Sequence, residues 1–241
     1  MASLLSIVQD VADRVGLVRP TAVIGASDPQ VRQLLALCNQ EGRTLARRHT
    51  WQAITKEKTF TTIASETQTG AVPADFDRIV TGTFYNRSAD RPVYGPMSAL
   101  EWADYKGGRS SVVFHAFRLR GDAMLLAPTP GAGESLAYEY ISTYWAGEAS
   151  DTTPTLDAWL QDTDIPFLDA ELMTLGTCWR FQKSRGLEYA ETYQEYEFLL
   201  AQLTGRDGGA RTLSMQETQR YRRPRLSGVV AVTSEDALTD D

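Results

Sequence analysis

The hydrophobic periodicity of this chain changes twice, and that change constrains the possible folds more than any other feature. Residues 3–51 place apolar side chains every three or four positions, residues 56–145 alternate them in short runs, and the helical spacing returns after Leu168. Steps of three and four indicate helices with one buried face, whereas alternation indicates half-buried strands. The sequence therefore predicts a mainly helical α+β fold in which a β region is inserted between two pairs of helices.

Four long helices are predicted from these stripes. The first covers about residues 3–15, and the second begins at Asp28, a capping residue, with Pro29 at the first helical position. The last two follow the stripes Leu168, Leu172, Leu175, Trp179 and Tyr189, Tyr193, Tyr196, Leu200, Leu203. Because only a short turn at residues 184–186 joins them, we expect them to be antiparallel neighbours. Residues 1–54 and 160–205 are thus predicted to form a four-helix bundle with the three tyrosines in its core.

Residues 55–148 are predicted to form an inserted antiparallel β domain. Strand-like runs occur at 59–63, 79–85, 112–119, 123–127 and 136–145, with turn residues such as Gly121 and Asp122 between them. One short helix is expected to interrupt the sheet near residues 98–105. Ser98 is expected to cap this helix, and Glu101, three residues later, completes a capping box.

Residues 206–241 are predicted to form an extended C-terminal arm. From residue 216 onward the sequence has no apolar period. Such a segment buries too little surface to offset its ordering entropy, so we expect it to be ordered only against a partner. The arm carries a basic cluster, which supplies the candidate partner-binding residues Arg220, Tyr221, Arg222, Arg223, Arg225 and Leu226. These arginines suit either phosphates or an acidic protein surface, and the acidic composition of the chain favours protein docking.

The net charge of −7 argues against a chain that grips nucleic acid tightly. Phosphate binding draws on clustered Lys and Arg side chains that release counterions, and an acidic surface instead repels a passing duplex. No apolar run approaches the roughly 18 residues that span a bilayer, and no secretory signal follows Met1. We therefore expect a soluble protein that is made in the cytoplasm and has no membrane partner.

No catalytic, metal-binding or cofactor-binding residue is predicted. His49 and His115 are too few and too far apart for a metal site or a catalytic triad. Cys38 and Cys178 lie among apolar neighbours, which is typical of buried free thiols. Four carboxylates cluster at the start of the third long helix: Asp162, Asp164, Asp169 and Glu171. The helix dipole favours acidic residues there, so no acid/base pair is inferred.

Several stretches, taken together, resemble phage head-to-tail connector proteins, the adaptor subunits that lie beneath the portal. They read SDPQVRQLL (27–35), PADFDR (73–78), APTP (127–130) leading into YEYIS (138–142), and RDGGAR (206–211). The resemblance covers about residues 3–213, and none of the stretches is catalytic. It implies a virion protein of the portal vertex that forms a ring, usually dodecameric, under the portal protein and extends the DNA channel.

The same resemblance implies the partners. Copies of the chain are expected to contact one another in the ring, tail or nozzle proteins to dock on its far side, and genomic DNA to pass through without specific binding. In such adaptors the C-terminal arm commonly grips the portal, a role that the resemblance extends to Arg222, Arg223 and Arg225. Three alternatives remain open: another connector ring component, such as a stopper or tail terminator; a cell-wall hydrolase; and a nucleic-acid-binding module that works through residues 220–225.

Overall fold

Helices lie at both ends of the described chain, and short strands fill its middle. The computed structural model describes residues 2–108 and 115–208. The helices are α1 (Leu4–Val15), α2 (Pro29–Arg48), α3 (Ala99–Gly107), α4 (Ala170–Ser184) and α5 (Ala190–Asp207), with a 3-10 turn at Gln52–Ile54. The strands are β1 (Thr55–Thr61), β2 (Thr67–Gln68), β3 (Phe76–Ile79), β4 (Tyr85–Asn86), β5 (Arg91–Pro92), β6 (Ala116–Arg120), β7 (Ala123–Ala127), β8 (Ser135–Ser142), β9 (Ala146–Gly147) and β10 (Ile165–Pro166).

Local sequence determines where two of the helices begin. The side chain of Asp28 accepts a hydrogen bond from the amide of Gln30, and Pro29 occupies the first helical position of α2. Ser98 and Glu101 form a reciprocal capping box at the start of α3. Both predicted helix starts are confirmed, because each signal lies within three residues of the backbone amide that it satisfies.

The main sheet is built around β8. This strand pairs antiparallel with β1 along its whole length, and its other edge pairs with β3 and β4. β5 extends the sheet beyond β4, while β2, β7 and β6 form a second sheet in that order. β9 and β10 form a two-stranded antiparallel ribbon. Because β8 has partners on both edges and nearly all of its side chains are buried, it is the central strand of the β region.

The predicted four-helix bundle is wrong. α1, α2 and α5 each pack against α4, and the seven consecutive α4 residues 172–178 are all buried. A bundle helix keeps one polar face in solvent, whereas α4 has no charged residue between Glu171 and Arg180 and is covered all round. α5, in contrast, buries only Tyr196 and Leu200. The described residues therefore form an α+β fold with five α-helices and several antiparallel sheets, and α4 is the centre of the helical layer.

The helical layer shares its core with the end of the β region. Ile141 of β8, together with Trp145 and Trp159 from the chain that follows, belongs to the same buried cluster as residues of α1, α2 and α4. Trp145 lies so close to α2 that a Cβ atom at Gly42 would overlap with its ring. A second buried cluster lies between the two larger sheets and is mainly aromatic, with Phe60, Phe84, Phe117, Tyr138 and Tyr140. The described residues all belong to one compact unit.

Both cysteines are free and buried, as predicted. Cys38 Sγ lies 3.3 Å from Thr177 Oγ1, so the contact joins α2 to α4. Burial raises the pKa of the Cys38 thiol to about 12. The thiol therefore stays protonated and contributes to packing as a small apolar group.

The predicted C-terminal arm lies almost entirely outside the described residues. Of residues 206–241, only Arg206, Asp207 and Gly208 are described, and the first two belong to the last turn of α5. The division of the chain into a helical part at 1–54 and 160–205, a β domain at 55–148 and an arm stays a prediction.

Candidate interaction surfaces

A fully buried carboxylate joins three helices of the helical layer. Glu41 of α2 has no exposed surface. Arg180 of α4 donates from Nε to Glu41 Oε2 at 2.6 Å, and the hydroxyl of Tyr196 of α5 donates to Glu41 Oε1 at 2.6 Å. Burial and the neighbouring negative charge of Glu41 raise the pKa of Tyr196, so its hydroxyl remains a donor. A buried charge is tolerated only when it is paired and hydrogen-bonded, and these contacts fix α2, α4 and α5 against one another.

The approach of α2 to α4 at this point depends on a glycine. A Cβ atom built at Gly176 of α4 would overlap with the side chain of Glu41. Helix interiors otherwise disfavour glycine by about 1 kcal/mol relative to alanine. Position 176 is therefore a glycine because the Glu41 side chain occupies the space that a larger residue would need.

The stretch PADFDR is held in place by a second carboxylate. The Asp75 carboxylate accepts hydrogen bonds from Lys56 Nζ at 2.8 Å, from the Tyr140 hydroxyl at 2.9 Å and from the Ser142 hydroxyl at 2.7 Å. Burial acts to raise the pKa of Asp75, but these donors outweigh it and hold the pKa below the ordinary value of 3.8. Asp75 therefore pins the turn before β3 to β1 and β8, which is a structural role.

Asp162 and Asp164 organise the backbone around the start of α1. The Asp162 side chain accepts hydrogen bonds from the amides of Val23 at 3.1 Å and Ile24 at 2.7 Å. The backbone carbonyl of Asp164 accepts from the amide of Leu4 at 2.8 Å. Both residues precede α4 but bind backbone outside it: Asp162 binds the loop before α2, and Asp164 binds the first residue of α1. They hold the N-terminus of α1 and the loop before α2 against the chain that leads into α4.

The buried carboxylates of the described residues are Glu41, Asp75 and Asp164, and each accepts hydrogen bonds from the protein itself. Asp169 caps α4 by accepting from the amide of Leu172 at 2.9 Å, as its position before the helix predicts. Within residues 2–108 and 115–208, no group of three His, Cys, Asp or Glu side chains is placed to hold a metal ion. The carboxylates that are set apart by burial therefore act as structural groups.

The outer face of α2 is basic. It consists of the exposed residues opposite the buried stripe of the helix: Arg32, Ala36, Gln40, Arg43 and Arg47. None of its three arginines forms an ion pair with another described residue. Arg43 and Arg47 also line a shallow cleft of about 220 Å³, together with Asp77 and Asp157. Asp77 pairs with Arg78, and neither Asp77 nor Asp157 forms an ion pair with Arg43 or Arg47.

The outer face of α5 is acidic and carries an exposed aromatic ring. It consists of Glu191, Gln194, Glu195, Phe198, Ala201 and Gln202, all exposed. Phe198 is 67% exposed, whereas Tyr196 on the opposite face is 1% exposed. Neither Glu191 nor Glu195 forms an ion pair with another residue in the described part of the chain. The two glutamates and the ring of Phe198 are therefore accessible to a partner.

The family comparison covers nearly the whole chain. The family model described as SU10 adaptor protein matches residues 2–224. The chain belongs to the SU10 adaptor protein family. This is a family of structural phage adaptors, which implies a non-enzymatic virion protein that interacts with other head or tail proteins. No curated protein matches the chain.

The candidate residues of the basic cluster lie partly within this family match. Arg220, Tyr221, Arg222 and Arg223 fall inside the matched range, and Arg225 and Leu226 follow it. All six lie outside the described residues, so the structure does not test whether they form one surface. None of the helices in the described part of this SU10 adaptor is long and apolar enough to cross a membrane.

Sequence reasoning missed the contact of Glu41 with Arg180 and Tyr196. A signal for it exists, because Glu41 lies three residues after Cys38 and four before Leu45 on the buried stripe of α2. A charged residue at such a position needs a buried partner of opposite charge. Gly176 is a second sequence feature that reflects this contact. It could be explained only once α2 and α4 were known to cross at this point.

Proposed function

We propose that this chain is a ring-forming head-to-tail adaptor of a tailed phage. Its copies assemble beneath the portal protein in a dodecameric ring, extend the DNA channel and offer a docking site to tail or nozzle proteins. The family match over residues 2–224 is the observation that carries this proposal. The resemblance of residues 27–35, 73–78, 127–142 and 206–211 to connector proteins supports the same position in the virion.

A rigid protomer suits a ring that must keep its shape while DNA passes. The buried contacts of Glu41 hold α2, α4 and α5 together, and the helical layer shares its core with Ile141 and Trp145 of the β region. A ring of identical subunits closes when one surface binds a different surface of the next copy and the rotation divides a full turn. A protomer that does not bend would keep the same rotation between each pair of neighbouring copies.

We place the portal contact on the C-terminal arm, residues 206–241. Arg220, Arg222, Arg223 and Arg225 are available to bind carboxylates of the portal, with Tyr221 and Leu226 adding apolar contact. The planar guanidinium group matches a carboxylate in a bidentate arrangement, which a lysine ammonium does not. The acidic net charge of −7 over the whole chain favours protein docking over nucleic-acid binding as the role of this cluster.

Truncation tests the portal contact. Removing residues 216–241 is expected to abolish retention of the chain on immobilised portal protein, while the circular dichroism spectrum of the remaining helices stays unchanged. Arg222→Lys with Arg223→Lys keeps the charge and removes the planar fork, so its binding should be weakened but present. Full portal binding by the truncated protein would remove this part of the proposal.

The ring itself is tested on tailless heads that carry the portal. Bound copies of the full-length chain are counted by electron microscopy and by mass, and a closed ring with a fixed number of copies is expected. Failure of the chain to bind portal-bearing heads would contradict the adaptor function.

The passage of DNA is tested by binding measurements over a range of salt concentration. An acidic channel wall repels the duplex, so the purified chain is expected to bind DNA only weakly. High DNA affinity with a steep salt dependence, lost in Arg222→Ser with Arg223→Ser, would favour a nucleic-acid-binding module instead.

A further inference from the structure

We propose that the outer face of α2 in one copy binds the outer face of α5 in the next copy, and that this helix pair is the contact that closes the ring. The inference rests on the proposed ring function and names the two surfaces that it needs. One surface is basic through Arg43 and Arg47, and the other is acidic through Glu191 and Glu195.

The two faces cannot pair with themselves. A second α2 placed on the α2 outer face would bring Arg43 and Arg47 against like charges, and a second α5 would do the same with Glu191 and Glu195. Both helices pack on α4, and each outer face points away from it on the opposite side of its own helix from the buried stripe. A contact between two different, complementary surfaces is a head-to-tail contact, which is the kind that forms rings.

The spacing of the charges matches. Arg43 and Arg47 are four residues apart on α2, and Glu191 and Glu195 are four residues apart on α5. Four residues correspond to about 6 Å along a helix axis. Each arginine can therefore face one glutamate when the two helices lie alongside each other.

The position of Phe198 selects the antiparallel orientation. With Glu191 opposite Arg47 and Glu195 opposite Arg43, Phe198 falls beside Gln40, seven residues along each helix. Gln40 and Ala36, one turn further, are the uncharged part of the α2 face. In the parallel orientation Phe198 would pass beyond Arg48, where α2 ends. The antiparallel pair therefore buries the ring of Phe198, which is 67% exposed in the single chain, at the centre of the contact.

Charge reversal tests the contact on portal-bearing heads. Arg43→Glu with Arg47→Glu, and separately Glu191→Arg with Glu195→Arg, should each reduce the number of bound copies by about tenfold or more, because like charges then meet. The chain that carries all four substitutions should again form rings by itself. An equal mixture of the two reversed chains should also assemble, since each reversed face then meets its complement.

Two controls separate this contact from other causes. Arg120→Glu reverses the charge of an exposed arginine at the end of β6, which belongs to neither face, and it should assemble as the parent does. If Arg43 and Arg47 bound the portal instead of another copy, the fourfold variant would stay defective. All variants change exposed side chains, so their unfolding midpoints should remain close to that of the parent.

The outcomes for the inference and for the ring function differ. Assembly of either reversed chain at the parent level, or a fourfold variant that fails to recover, overturns the α2–α5 contact while leaving the ring function intact. A parent chain that forms no ring on portal-bearing heads overturns both.

Discussion

Glu41 is the residue of the helical layer whose substitution we expect to destabilise the protein most. Its carboxylate is fully buried and is shared by Arg180 of α4 and Tyr196 of α5. The side chain of Arg180 is itself only 14% exposed, so it depends on Glu41 for a counter-charge. An exposed ion pair such as Arg48 with Glu197 has no such dependence, because water can replace the lost partner.

Glu41→Ala is therefore expected to destabilise the protein by about 3–5 kcal/mol, because it leaves a mostly buried guanidinium group without its partner. Denaturant unfolding followed by circular dichroism measures the loss. Glu197→Ala, which breaks an exposed pair, serves as the matched control and should cost no more than about 1 kcal/mol. Equal losses for the two variants would contradict the structural importance of the buried pair.

Asp75 gives the protein a defined sensitivity to acid. Its pKa in the folded protein lies below the ordinary value of 3.8, so the folded state binds fewer protons than the unfolded state in that range. The stabilisation from this group is therefore present above about pH 4 and is lost as the pH falls through the folded pKa. The free energy of unfolding of Asp75→Asn should accordingly fall less steeply between about pH 5 and pH 2 than that of the parent.

The control for this pH dependence is Asp77→Asn, two residues away. Asp77 is exposed, and its one ion-pair partner among residues 2–108 and 115–208 is its neighbour Arg78. Its replacement should leave the slope of stability against pH close to that of the parent. An Asp75→Asn protein with the parent slope would show that the three donors around Asp75 do not favour its charged form.

At the scale of the elements, helix starts were predictable and helix packing was not. Asp28 and Ser98 signal their helices through residues next to them in sequence, and both starts are confirmed. The stripe of tyrosines predicted a buried face for α5, but Tyr196 is 1% exposed and Tyr193 is 37% exposed. Periodicity identifies the face of a helix that packs but not how much of it a neighbour covers. α5 packs mainly on α4, which cannot cover the whole stripe.

The sequence of α4 does not indicate which of its faces are buried. Residues 172–178 contain apolar side chains, two threonines and Gly176, without a charge to mark an exposed face. The stripe through Leu172, Leu175 and Trp179 indicated one buried side, which is what a bundle requires, whereas the structure buries every side. The basic cluster at residues 220–225 lies outside the described residues, so its assignment depends on composition alone.

Gly176→Ala is expected to destabilise the protein by about 1–3 kcal/mol, because the added methyl group would overlap with the Glu41 side chain at the α2–α4 crossing. Helix propensity alone would predict the opposite sign. Gly205→Ala in α5 is the matched control, since a Cβ atom there meets nothing within 4 Å. That variant should be neutral or stabilised by up to about 1 kcal/mol. Thermal and denaturant unfolding distinguish the two, and a stabilised Gly176→Ala would show that the helices do not approach closely.

At the scale of the whole molecule, the helical layer and the sheets are joined by a shared core. Ile141 and Trp145 lie at the end of the β region, yet they are buried among residues of α1, α2 and α4. Such contacts join residues about 100 positions apart, such as Gly42 and Trp145, and no local pattern in the sequence encodes them. The predicted division at residues 55–148 follows a real change in periodicity, but periodicity does not say whether the two parts unfold separately.

Because of the shared core, we expect the helical layer and the β region to unfold together. Trp145→Ala should cost about 3–5 kcal/mol by opening a cavity between α2 and β8. Phe84→Ala removes a ring from the aromatic cluster between the sheets, which shares no residue with the core of the helical layer. If the two clusters belong to one cooperative unit, each substitution shifts the helical signal at 222 nm and the near-ultraviolet aromatic signal to the same new midpoint. Independent domains would instead give two transitions in Phe84→Ala, with the helices keeping the parent midpoint. The ring function that we propose would require the first behaviour, because a β region that unfolds separately would not keep a fixed position relative to the helical layer.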